Sequence, residues 1–229
     1  MIISHDRKTL FIGVPKNGSQ TARAVLGPLG VDLVGEMGRH PTVPEAIRLA
    51  EARFPGEVIT PTAIYAFWRD PVERFCSAVE FHKRCLPNSF IHLFPERFAG
   101  LGPHPRWFET DPTAIAQDLR AIIQGIAPVE ILEALVMSIG LGLDFPPGVG
   151  NLTFYRPQHL WVDHPSVTTL PFDEYPDQIL MLIDRFGGHG QVETVPHINR
   201  YVGPEFILSP TEMATIGACL EFDRVRARY

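Results

Sequence analysis

Cysteine is scarce in this chain: Cys76, Cys85 and Cys219 are the only three among 229 residues. None forms a CxxC pair, and three cannot all pair internally. The pattern points to reduced thiols in a cytoplasm-like compartment rather than to a disulfide framework. Excess positive charge is also missing. Lys and Arg number 20 against 26 Asp and Glu, giving a net charge of −6. A general attraction to nucleic acid or to acidic polymers is therefore not expected, although one cleft can still be basic. Long hydrophobic runs are absent too. The most apolar stretch, Ile131 to Leu143, contains Glu133 and two glycines and falls short of the ~20 apolar residues that span a bilayer. The opening "MIISHDRKTLFIGV" lacks a basic region followed by a long apolar one and does not read as a signal peptide. No repeat or low-complexity segment is present. What remains, 45% hydrophobic and 20% charged residues, is the composition of an ordinary globular protein, and the expected location is cytoplasmic.

Hydrophobic patterning predicts alternating strands and helices. Thr9 to Val14 reads as a buried strand, Pro15 to Gly18 as a loop, and Ala22, Val25, Leu26 and Leu29 recur at helical spacing until Gly27-Pro28 ends the regular helix. Pro44 to Phe54 reads as a helix and Ala63 to Trp68 as a second buried strand. Asp70, Pro71 and Glu73 then open a helix running to about Arg84. Cys85 to Pro112 holds five prolines and many aromatics with little periodicity, and is expected to be a long structured loop. Helices are predicted over 113–125, 128–140, 177–186 and 211–228, with a strand at 167–170. Strands alternating with helices imply an α/β fold with a mostly parallel central sheet. No linker divides the chain, so residues 1–229 are expected to form a single domain with an insertion at about 85–112.

The first chemical signal is "FIGVPKNGSQTARAVL", Phe11 to Leu26. A Walker loop reads Gly, four residues, Gly, Lys, Ser/Thr. Gly13 and Gly18 keep that spacing, but Ser19 follows Gly18 directly and the lysine stands earlier, at Lys16. A glycine loop between a buried strand and a helix is an anion cradle, because backbone N–H groups and the helix dipole both face the ligand. Ser19 and Thr21 add hydroxyls and Lys16 a full charge. The same glycine spacing also occurs in ordinary turns. The second signal is "FWRDPVERFCSAVEF", Phe67 to Phe81. Arg69 stands at the C-terminal end of a strand, the edge where ligands bind in open α/β sheets. It can offer forked donors to a phosphate or pair with Asp70 or Glu73. Ser77, two turns into the next helix, can complete such a site or bond its own backbone.

Together the two segments resemble the sulfotransferase family. Pro15-Lys16-Asn17-Gly18-Ser19-Gln20-Thr21 is similar to its 5′-phosphosulfate loop, often PKxGSTS or PKxGTTS. Arg69-Asp70-Pro71-x-x-Arg74-Phe75-x-Ser77 is similar to its 3′-phosphate motif, RxPxxRxxS. Echoes follow in "FYRPQHLWV" (154–162), "TTLPFDEY" (168–175), "HINRY" (197–201) and "CLEFDRVRARY" (219–229). The likeness is greatest to the carbohydrate-type and bacterial branch. It implies a P-loop NTPase-like three-layer fold, with 3′-phosphoadenosine 5′-phosphosulfate as sulfuryl donor, 3′-phosphoadenosine 5′-phosphate as product, and no metal. By the same resemblance Lys16 stabilises the leaving phosphate, while Lys16, Asn17, Gly18, Ser19, Gln20 and Thr21 hold the 5′-phosphate. Arg69 and Ser77 hold the 3′-phosphate. Gln20 departs from the family, which often has Thr or Ser there.

A hydroxyl acceptor needs a general base working near neutral pH, which a histidine or tuned carboxylate provides. His40 in "GEMGRHPTV" is the candidate, since the family carries a similar His segment facing the acceptor. An equal alternative is a histidine capping the next helix, with Glu36 as fallback base. The expected partners are the nucleotide donor and a small-molecule or glycan acceptor, with no nucleic acid and no stable membrane insertion. Two other readings stay open. An ATP- and magnesium-dependent small-molecule kinase is opposed by the missing Gly-Lys-Ser/Thr. A non-catalytic homologue would keep the nucleotide site without turnover.

Overall fold

The computed structural model describes residues 1–35, 40–85, 93–101, 121–140, 155–190, 195 and 208–221. The chain separates into two compact units. One comprises Met1–Pro71, Pro157–Pro204 and Glu221–Tyr229, the other Val72–Arg156 and Glu205–Leu220.

The first unit is built on a five-stranded sheet. Its strands are β1 (Ile2–Ser4), β2 (Thr9–Ile12), β3 (Gly30–Asp32), β4 (Ala63–Trp68) and β5 (Val167–Pro171), in the order β3-β1-β2-β4-β5. β2, β4 and β5 pair in parallel, with Phe11 opposite Tyr65 and Tyr65 opposite Thr168. β1 pairs antiparallel with both β2 and β3. The sheet is therefore mixed, where a mostly parallel one was expected. The reason is the short link between β1 and β2. The Arg7 amide donates back to the Ser4 carbonyl at 3.0 Å and Arg7 takes a left-handed φ of 60°. Such a turn joins only antiparallel neighbours, since a parallel return needs a crossover of a dozen or more residues.

Side chains alternate across this sheet with the two-residue period of a strand. Ile3, Leu10, Ile12, Ile64 and Ala66 face one side, where they pack with Ala46 and Ala50 of α2 (Val43–Arg53) and with Trp161. Ile2, Phe11, Phe67 and Leu170 face the other. There they meet Ala22, Val25 and Leu26 of α1 (Ser19–Leu26) and Ile179, Leu182 and Ile183 of α7 (Tyr175–Arg185). Burial on both faces accounts for the nearly continuous apolar runs in β2 and β4. α2 starts where Thr42 and Glu45 form a capping box, the Glu45 carboxylate accepting the Thr42 N–H at 2.7 Å. A short helix, α6 (His159–Val162), lies between Gln158 and Asp163.

The second unit is helical among its described residues. α3 (Pro71–Cys85) opens at the expected proline, and α5 (Pro128–Gly140) has the expected bounds. α8 (Pro210–Cys219) is capped by Ser209, whose hydroxyl accepts from the Glu212 amide at 3.3 Å. Phe75, Val79, Phe98, Ile123, Ile131 and Ile216 form its core. The expected loop over 85–112 contains α4 (Pro95–Phe98), followed by a 3-10 turn at Ala99–Leu101. Pro95 takes the first turn of that helix, where its missing N–H costs nothing. Most of 113–125 lies outside the described residues, as do 222–228 of the last expected helix. No described helix is long and apolar enough to cross a membrane.

Candidate functional site

The loop leaving β2 carries two left-handed residues within three positions. Lys16 has φ 67° and Gly18 φ 70°. A non-glycine residue held left-handed costs about 1–2 kcal/mol and persists only where its surroundings fix it. Left-handed residues in a turn also gather backbone N–H groups into a concave anion nest. α1 follows at once. Gly18 stands at its N-cap and has no side chain to cap it, and the first turn carries no acidic residue. The N–H groups of such a turn have no partner inside the helix, so this end presents donors and partial positive charge.

Three neighbours hold the loop. The first is Tyr175 at the start of α7, which donates its hydroxyl to the Gly18 carbonyl at 2.7 Å. Its ring lies so close that a Cβ on Gly18 would stand 2.7 Å from Cζ. Burial pushes the Tyr175 phenol up to about 12, while the Thr21 hydroxyl and the Ala22 amide pull it the other way. The second is Gln158, fully buried just ahead of α6. The third is β4, through Asn17. The Asn17 side chain is buried, and its Nδ2 donates to the Phe67 carbonyl at 2.7 Å and to Gln158 Oε1 at 2.9 Å.

Arg69 stands at the end of β4 and reaches the same loop. Its Nη1 donates to the Lys16 carbonyl at 3.4 Å, and its guanidinium lies over the Phe172 ring at 4.8 Å. Its backbone is gripped by Gln158, whose Nε2 donates to the Arg69 carbonyl at 2.6 Å and whose Oε1 accepts the Arg69 N–H at 3.4 Å.

His40 meets the loop at its first glycine. Its Nδ1 lies 2.6 Å from the Gly13 carbonyl. A carbonyl only accepts, so Nδ1 carries the proton, and the lone pair of the neutral ring sits on Nε2. The backbone beneath the ring is fixed by Trp161, whose indole N–H donates to the His40 carbonyl at 2.6 Å. Ser19 packs at the same place, its Cβ standing 3.3 Å from where a Gly13 Cβ would be.

The structure thus gathers Lys16, Asn17, Gly18, Ser19, Thr21, His40 and Arg69 around one loop. Within that group Lys16 is half-buried and Thr21 is buried with its hydroxyl at the Tyr175 phenol, whereas Gln20 is exposed to solvent. Ser77 stands half-buried in α3, in the second unit. Glu36, Arg39 and the 197–201 segment lie outside the described residues. Sequence reasoning did not single out Gln158, Trp161 or Tyr175. Each was visible only as part of a weaker segment, "FYRPQHLWV" or "TTLPFDEY". No protein-family model, curated protein or solved structure matches the chain.

Proposed function

We propose that this chain is a sulfotransferase. It would carry a sulfuryl group from 3′-phosphoadenosine 5′-phosphosulfate to a hydroxyl of a carbohydrate or small-molecule acceptor. The observation that carries the reading is the approach of Arg69 Nη1 to the Lys16 carbonyl at 3.4 Å. Two motifs 53 positions apart meet there, one suited to each end of a doubly phosphorylated nucleotide. A parallel β2-β4-β5 core with a glycine loop after β2 supports a P-loop NTPase-like arrangement. The residues fit such a donor. The first turn of α1 starts at a glycine N-cap and is free of acidic residues, and Lys16 in the loop and Arg69 beside it supply positive charge.

The bound donor supplies an activated sulfuryl group whose departure places negative charge on a phosphate oxygen. Lys16 is charged with stabilising that oxygen. Because the charge grows toward the transition state, such a contact lowers the barrier more than it tightens binding. The backbone N–H groups from Gly18 to Thr21 hold the 5′-phosphate, Ser19 adds a hydroxyl, and Arg69 takes the 3′-phosphate. His40 receives the acceptor's hydroxyl proton on Nε2. Its Nδ1–H bond to Gly13 keeps the ring in the tautomer this requires. Orientation and fixed charge do most of the work, as in phosphoryl transfer.

Calorimetric titration with 3′-phosphoadenosine 5′-phosphate, against ATP plus magnesium, tests the reading. Micromolar binding of the first and none of the second is expected, and would justify a screen of hydroxyl acceptors. Binding of ATP alone would move the protein to the kinases.

A further inference from the structure

We infer that Gln158 is the positioning residue that sets the distance between the two anion-binding groups, and so the preference for a doubly over a singly phosphorylated nucleotide. This rests on the reading of the loop and Arg69 as the two ends of the donor site.

A single carboxamide makes the link. Gln158 is fully buried, and a buried amide is stable only if its donors and acceptors are used. Here they are used on two segments at once. Nε2 donates to the Arg69 carbonyl at 2.6 Å, and Oε1 accepts the Arg69 N–H at 3.4 Å. The same Oε1 accepts from Asn17 Nδ2 at 2.9 Å. The residue flanked by Lys16 and Gly18 and the residue that follows β4 are thus tied to one planar group. Asn17 is itself buried and tied to Phe67, the second residue before Arg69, at 2.7 Å. Neither segment can slide along the other without breaking one of these bonds, of which the two made by Asn17 are buried. The Arg69 guanidinium projects from a backbone held at both its N–H and its carbonyl. Its distance from the loop is therefore set by Gln158 more than by its own flexible stem. The link is positional, since Gln158 contributes no charge and both ends of its amide bond Arg69 or Asn17.

The test compares 3′-phosphoadenosine 5′-phosphate with adenosine 5′-phosphate by calorimetry, on wild type, Gln158→Met, Arg69→Ala and the double variant. Gln158→Met keeps length and volume and removes the amide. Wild type should prefer the doubly phosphorylated nucleotide, and Gln158→Met should reduce that preference at least about tenfold, as loss of one well-placed charge-assisted contact does. In the Arg69→Ala background the second substitution should change the ratio no further, which a general loss of stability would not reproduce. A folded Gln158→Met protein with the wild-type ratio would overturn the inference and leave the donor site standing. A wild type with no preference at all would overturn the site itself. Gln158→Asn, which keeps the amide but withdraws it by one methylene, provides a second variant. If both variants fail to fold, Gln158 is a core residue only and the inference falls.

Discussion

The Tyr175 hydroxyl donates to the Gly18 carbonyl at 2.7 Å, and the tyrosine ring occupies the space that any side chain at position 18 would need. A residue 157 positions away thus fixes the turn that opens α1. Gly18 is required twice over, for its φ of 70° and for the nearness of the ring. Gly18→Ala should therefore lower stability by roughly 1–2 kcal/mol from the left-handed backbone alone, and by more from the contact with Tyr175. Chemical denaturation reads the first effect. Nucleotide titration of the folded fraction reads the accompanying loss of donor binding.

Tyr175 also predicts a pH effect. Its phenol is raised from the ordinary 10.0 to about 12, chiefly by burial. The unfolded chain releases this proton first as the solution becomes alkaline, so the folded state then binds more protons than the unfolded one. Stability should be undiminished below pH 10 and should fall as pH rises through about 12. In Tyr175→Phe this part of the alkaline decline should vanish. Denaturation midpoints of the two proteins across that window would show it, and parallel declines would refute it.

Lys16→Ala should depress turnover by about 10²–10³, as removal of one preorganised transition-state donor does, while donor affinity changes much less. Single-turnover kinetics separates the two. A large loss of binding with turnover intact would contradict the leaving-group role.

Arg69→Ala should weaken 3′-phosphoadenosine 5′-phosphate by roughly 1.5–3 kcal/mol and leave adenosine 5′-phosphate nearly unaffected. Equal weakening of both would mean that Arg69 acts on the shared 5′-phosphate or on the loop.

His40→Ala should lower transfer by about 10²–10⁴, the usual contribution of a general base, with donor binding preserved. Trp161→Phe removes the indole N–H from the His40 carbonyl and keeps most of the buried ring. It should cost about 0.5–1.5 kcal/mol, reducing transfer through His40 rather than through the donor. An unchanged rate in Trp161→Phe would show that Gly13 alone orients the imidazole.

Much of the frame was legible because it is local. β2 and β4 announce themselves as short apolar runs, since burial on both faces demands apolar residues at every position. Pro71 and Pro128 mark helix starts because a missing N–H is tolerated only in the first turn. The strands at Ile2–Ser4 and Gly30–Asp32 gave no comparable signal. Three residues are too few to show a period, and these segments become strands only through pairing, β1 with both β2 and β3 and β3 with β1.

The sequence by itself determined the chemistry available: a displaced lysine in a glycine loop, an arginine at a strand end and a histidine between helices. It could do so because charge, hydroxyl and glycine are properties of single residues at short spacing. Tertiary structure decided how they are held. It brought Arg69 to the Lys16 carbonyl and His40 to Gly13, turned the Asn17 side chain inward, and assigned Gln158, Trp161 and Tyr175 to secure them. Those contacts join segments from 27 to 157 residues apart. Their partners are largely backbone carbonyls, which every residue has, so no pattern of side chains could have announced them.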